Sequence, residues 1–75
     1  MRVHVTLMGV LKQKTPEGGL LDLSDGANVQ AMLEALDISR KQVQVVSING
    51  AFERDLGRML ASGDQVTVLA PVSGG

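Results

Sequence analysis

The sequence predicts an α+β domain, a mixed sheet of four to five strands with one main helix packed on one face. Three observations carry that expectation. Residues 2–8 alternate, with Val3, Val5 and Leu7 pointing one way and Arg2, His4, Thr6 and Met8 the other. Val29, Met32, Leu33 and Leu36 fall at i, i+3, i+4 and i+7, one apolar stripe of an amphipathic helix. Residues 65–70 alternate again, Val66 and Val68 against Thr67 and Leu69, directly before a proline. Period two with β-branched residues marks a half-buried strand, and period 3.6 marks a helix.

Taken in order, the first strand runs into Gly9–Gly19, where Lys12, Lys14, Thr15, Pro16, Glu17 and Gly18 dissolve the pattern into a hairpin loop. Residues 19–24 form a second short strand, with Leu21 and Leu23 on one face, that should pair antiparallel with the first. Asp25-Gly26-Ala27-Asn28 breaks it. Asn28 is placed to N-cap a helix at about 29–37, its side-chain oxygen accepting from an otherwise unpaired backbone N–H. Residues 38–42 read as a polar connection and 42–48 as a third strand. Asn49-Gly50, a pair that tolerates positive φ, turns it into a short return strand at Ala51–Glu53. A helical turn is expected at Leu56–Leu60, a tight turn at Ser62-Gly63-Asp64, and the final strand at 65–70. Pro71 has no N–H for a ladder and ends the pairing.

Composition narrows the function classes. A chain of 75 residues supports one modest core, burying about 60–65% of the surface its unfolded form exposes. It has no cysteine, which removes disulfides, thiolate catalysis and zinc–thiolate sites. A net charge of −1, with Arg40-Lys41 the longest basic run and Phe52 the one aromatic, argues against nucleic-acid binding. No apolar run approaches the roughly 18 residues of a membrane span, and the strand-like start lacks a signal-peptide core. A cytoplasmic location with no membrane partner is expected.

The stretch that organises a functional reading is Pro71-Val72-Ser73-Gly74-Gly75. An apolar strand runs straight into it, so the expected layout is a domain at 1–70 and a flexible tail at 71–75. Gly74 and Gly75 lack Cβ, so a narrow channel could close around their backbone. Five extended residues reach about 17 Å, enough to enter a partner's active site while the globule stays outside. Pro71 would stiffen the base of that arm.

The order strand, strand, helix, strand, short strand, strand resembles the β-grasp fold of ubiquitin. The chain is most similar to the prokaryotic ubiquitin-like sulfur carriers, among them the small subunit of molybdopterin synthase and the thiamin-biosynthesis sulfur carrier. Asp25-Gly26-Ala27-Asn28-Val29 leading into Met32-Leu33-Glu34-Ala35-Leu36 is similar to the family's glycine-containing turn before its helix. Val46-Ser47-Ile48-Asn49-Gly50 resembles the Val-Asn-Gly stretch of the thiamin-type carriers. Gly63-Asp64-Gln65-Val66 through Gly74-Gly75 looks like the family's Gly-Asp-x-Val strand running into a Gly-Gly terminus.

The resemblance implies that Gly75 carries the reacting carbon. An ATP-using adenylating enzyme would activate its carboxylate, a sulfur donor protein would convert it to a thiocarboxylate, and an acceptor synthase subunit would use the sulfur. No cofactor would be bound by the chain itself. It would be a carrier or cosubstrate, or the small subunit of a molybdopterin synthase-type enzyme, with the catalytic groups on its partners. The Pro71–Gly75 end leans toward the molybdopterin type and Asn49-Gly50 toward the thiamin type. The aromatic-rich first strand and following arginine of the molybdopterin type are missing, with Val5-Thr6-Leu7-Met8 and Lys12 in their place. Docking would use the sheet face opposite the helix, with Leu69 the foremost anchor and Met8 and Val72 beside it.

Other features carry less. His4 has no ligand or general-base partner at a defined spacing. Gly18-Gly19 lacks the lysine and hydroxyl of a phosphate-binding loop. Asp22, Asp25, Glu53 and Asp55 show no acid–base pairing. Arg40-Lys41 and Lys12/Lys14 read as solvated, with an acidic partner left open. Two rival readings also stand, a protein modifier joined to lysines through Gly75 and an interaction domain with an inert tail.

Overall fold

A computed structural model describes residues 1–71. The strands are β1 (Arg2–Met8), β2 (Leu20–Asp22), β3 (Val45–Ile48), β4 (Ala51–Glu53) and β5 (Gln65–Leu69), and the helix is α1 (Val29–Ala35). They form a mixed sheet in the order β2-β1-β5-β3-β4. β1 and β5 are parallel, and the other neighbours are antiparallel. A parallel pair cannot be joined by a hairpin, and the long connection between these two contains α1. This is the β-grasp arrangement.

The alternation in the sequence is the alternation in the structure. Val3, Val5 and Leu7 of β1 are buried, as are Val66 and Val68 of β5 and Val46 and Ile48 of β3. They share one core with Val29, Met32 and Leu33 of α1 and with Leu36 just beyond it. A side-chain period of two then obliges Arg2, His4, Thr6, Met8, Thr67 and Leu69 onto the opposite face.

Both ends of α1 show why it sits where it does. Asn28 caps it, Oδ1 accepting from Ala31 N–H at 2.8 Å, as its sequence position implies. The Val29 and Gln30 N–H groups donate to the carbonyls of Arg58 (3.0 Å) and Leu56 (2.9 Å). Leu56–Leu60 therefore does not form the expected helical turn. The segment turns once at Leu56-Gly57, spends its carbonyls on the start of α1, and bridges Asn28 through Met59. At the other end Ile38 N–H donates to Leu33 O (2.9 Å) and Asp37 N–H to Glu34 O (3.0 Å), with Asp37 at φ 58°. These two bonds are the Schellman closure, whose left-handed residue is here an aspartate. The motif turns Ile38 inward, where it is buried. Residues 38–42 are therefore not a purely polar connection: they hold a core isoleucine and a short 3-10 helix, Arg40–Gln42.

The expected loop at 9–19 is also built differently. Gly9–Lys14 and Glu17–Gly19 are 3-10 helices, and Leu11 is 1% exposed. Lys14 Nζ donates to the Asp37 carbonyl, tying this segment to the end of α1. The remaining differences are at boundaries: β2 and β3 are shorter than the alternation suggests, and α1 ends at Ala35.

The β3–β4 turn places Asn49 at φ 53° and Gly50 at φ 86°, the double positive-φ geometry that favours this pair. Asn49 does more than turn. Its amide donates to Asp64 Oδ1 at 3.0 Å and its oxygen accepts from Gln65 N–H at 2.9 Å, while Asp64 Oδ2 accepts from Ala61 N–H at 2.8 Å. The Ala61 N–H first, and the Asn49 amide second, hold the Asp64 carboxyl below its ordinary range. A carboxylate whose folded value is lowered contributes stability that is complete above its unfolded value, about pH 4, and is lost as pH falls through the lowered value. Asn49→Ala is expected to lower stability by about 1–2 kcal/mol, through two lost hydrogen bonds and a poorer left-handed residue. It should also flatten the acid limb of the stability–pH curve. Urea unfolding between pH 2 and 6 checks both, and an unchanged midpoint would contradict the staple.

Candidate functional site

β5 lies in the middle of the sheet, with β1 on one side and β3 on the other. Its ladder runs out at Leu69, which pairs with Met8 and with Val45. Ala70 follows, partly buried and packed against the core, and then Pro71, exposed and outside any strand. The tail thus issues from a central strand. Alongside it β1 turns away at Gly9, whose φ is +66° and where an added Cβ would stand 3.3 Å from Ala70 Cβ. A side chain at Gly9 would be strained and would crowd the base of the tail.

The register defines what surrounds the exit on the open face. One cross-strand row is Met8–Leu69–Val45, and the next is Thr6–Thr67–Ser47–Phe52. Met8 and Phe52 are exposed, while Leu69 and Val45 are half-buried by their neighbours. The expectation that Leu69 and Met8 lie opposite the helix is met, and the structure makes them adjacent. Val45 and Phe52 join them, and the sequence reading did not single out either in that role. Covering what remains exposed of these side chains contributes about 25 cal/mol per Å² of apolar surface. Val72, Ser73, Gly74 and Gly75 lie outside the described residues.

Among the described residues, His4, Asp22 and Asp64 lie toward the start of β5, away from the exit. His4 is exposed on the same face, and no group of three or more described His, Asp or Glu side chains could hold a metal ion. Asp22 is kept low by its hydrogen bond to Arg2 Nε (2.7 Å) and Asp64 by the staple above, so both stay ionised rather than poised as acids. The N-terminal donors of α1 are already spent on Arg58, Leu56 and Asn28. What the described residues place at the end of β5 is an apolar row, Met8–Leu69–Val45, next to Pro71.

A second feature flanks the row. A groove of about 540 Å³ is lined by Val43, Val45, Phe52 and Leu56 together with Arg40, Arg54 and Glu53. Sequence reading found Arg40 only as part of a short basic run, because the groove exists only once β3 and β4 have paired.

The family model that matches this chain, described as the ThiS family, aligns with residues 5–75. The chain belongs to the ThiS family. The match takes in β5 and the whole tail through Gly75. Among solved structures, this ThiS-family chain is similar to SAMP1 from Haloferax volcanii, with a TM-score of 0.74, 24% identity and 100% of both chains covered. A second crystal structure, of H. volcanii small archaeal modifier protein 1, gives a TM-score of 0.72 at 22% identity, covering 95% of this chain and 98% of that one. The complex of subunits 1 and 2 of molybdopterin-converting factor from Helicobacter pylori gives 0.63 at 21% identity, with 100% of both chains covered. At these identities the likeness speaks for the fold. No curated protein matches the chain. Among the described residues no helix is long and apolar enough to cross a membrane.

Proposed function

We propose that this ThiS-family chain is a sulfur carrier whose Gly75 carboxylate is adenylated by a partner and converted to a thiocarboxylate for cofactor biosynthesis. The observation that carries the reading is the family match that runs from β1 through Gly75. Membership makes the tail part of the family pattern rather than an appendage to it. The central position of β5 adds a physical reason: the arm is anchored on both sides up to Leu69.

The chemistry follows from what a carboxylate lacks. Its charge repels nucleophiles and its oxygen leaves poorly. Attack of a carboxylate oxygen on the α-phosphate of ATP releases pyrophosphate and gives a mixed anhydride. Hydrosulfide released by a donor protein then attacks the acyl carbon, AMP leaves with the electron pair of the broken C–O bond, and the Gly75 thiocarboxylate remains. Gly75 is the reacting residue; Gly74, Ser73, Val72 and Pro71 thread it into the partner. The row Met8–Leu69–Val45 docks against the adenylating enzyme and then against an acceptor subunit. The H. pylori relative, seen in complex with a second subunit, supports the latter. A molybdopterin-type acceptor is favoured by that relative and by the Pro71–Gly75 end.

Likeness to a small archaeal modifier protein favours a second reading, in which Gly75 is joined to lysines of other proteins. Intact mass of the protein from its native cells, with fragmentation across residues 71–75, separates the two. One oxygen replaced by sulfur at Gly75 is expected. Isopeptide conjugates without that species would favour the modifier. Neither product, after incubation with ATP, native extract and a sulfur source, would sink both and leave an interaction domain.

A further inference from the structure

The ladder between β3 and β4 stops at Val46 and Glu53. Beyond it the two segments part, and the groove opens between residues 43–46 and 52–56, with Arg40 among its lining. Its apolar surface comes from Val43, Val45, Phe52 and Leu56. Phe52, the chain's one aromatic residue, is 80% exposed.

The charges in the groove are unbalanced. Glu53 is already committed, Oε1 to Arg58 Nη1 at 3.2 Å and Oε2 accepting from Asp55 N–H at 3.1 Å. Arg40 and Arg54 have no ion-pair partner among the described residues. Exposed Lys41 adds a cation next to Arg40 in the chain. Two guanidiniums beside an apolar surface are matched by carboxylates that flank an apolar side chain, and arginine's planar fork suits a carboxylate in particular. Beyond Val46 and Glu53 the facing segments carry no ladder pairs, so an extended segment can lie between them.

We propose that this groove binds an acidic, extended peptide segment of a partner protein. An apolar side chain of that segment sits among Val43, Val45, Phe52 and Leu56, and its flanking carboxylates pair with Arg40 and Arg54. The site goes beyond the carrier reading and does not depend on any chemistry at Gly75. It shares Val45 with the row at the tail exit, so a partner seated there can reach the groove with an acidic segment.

The test is a titration of the full ¹⁵N-labelled chain with the peptide acetyl-Asp-Glu-Leu-Glu-Asp-amide, followed by amide chemical shifts. Saturable shifts are expected at residues 43–46 and 52–56. The double variant R40E/R54E should bind at least about tenfold more weakly, since two exposed ion pairs are lost and each is replaced by a like-charge repulsion. Raising salt from about 50 to 500 mM should weaken binding several-fold. The control K12E, outside the groove, should bind as the parent does, and all variants should keep the parent's unfolding midpoint. Shifts that are absent, scattered, or indifferent to R40E/R54E would overturn the proposal. So would an equal response to inorganic phosphate, which would mark a plain anion site. Shifts at the same amides that grow with protein concentration alone would assign the groove to a second copy instead.

Discussion

Gly75→Ala is expected to lower thiocarboxylate formation by about 10²-fold or more, with the unfolding midpoint unchanged. The reacting carbon of the proposed carrier belongs to Gly75, and a methyl group on the adjacent Cα widens the chain where a partner's channel must close around it. Displacement of a reacting group by about 1 Å suffices for a loss of that size. Leu69→Asp should fail differently. It puts a charge in the middle of the Met8–Leu69–Val45 row while leaving Val66 and Val68 in the core. Its expected effect is a raised KM for the carrier with the adenylating partner, and a rate at saturation close to the parent's. Steady-state adenylation and thiocarboxylate mass, measured for both variants with ATP and sulfide, distinguish the reacting end from the landing surface. A Gly75→Ala chain that charges at the parent rate would refute the need for a bare Cα at position 75, and a parent chain that does not charge would refute the carrier reading.

Leu11→Ala is expected to cost about 2–5 kcal/mol, the range for emptying a fully buried leucine site. At roughly 0.05–0.15 kcal/mol per residue, a chain of this size has about 4–11 kcal/mol to lose, so the variant should give up a large fraction of its stability. Val10→Ala, one residue away and 70% exposed, should change stability by less than about 0.5 kcal/mol. Urea melts of the two variants check the contrast. Equal, small losses would mean that the 3-10 segment does not seal the core.

That pair also shows where sequence reading reaches its limit. β1, β5 and α1 were legible because each repeats its burial pattern over several residues, and Asn28 was legible as a cap because its chemistry is local. Leu11 is a single inward residue in a 3-10 helix, with no repeat to announce it. Ile38 reads as part of a polar link because a Schellman closure is usually signalled by glycine, and Asp37 holds the left-handed position here. Residues 54–60 form no helix because α1 needs their carbonyls, a demand visible only once both are placed. Of the site, Met8 and Leu69 followed from strand parity alone. Val45 and Phe52 join the open face through register, and the arginine groove arises where two paired strands diverge.

The parallel pairing of β5 beside β1 also has a mechanical side. Five register pairs tie β5 to β1, from His4↔Gln65 to Met8↔Leu69, and β3 grips its other edge. A partner that draws the arm inward pulls along β5, loading these contacts together in shear rather than opening them one at a time. Tension applied at Pro71 is spread across the middle of the sheet, so the proposed handling of Gly75 by a partner would leave the globule folded.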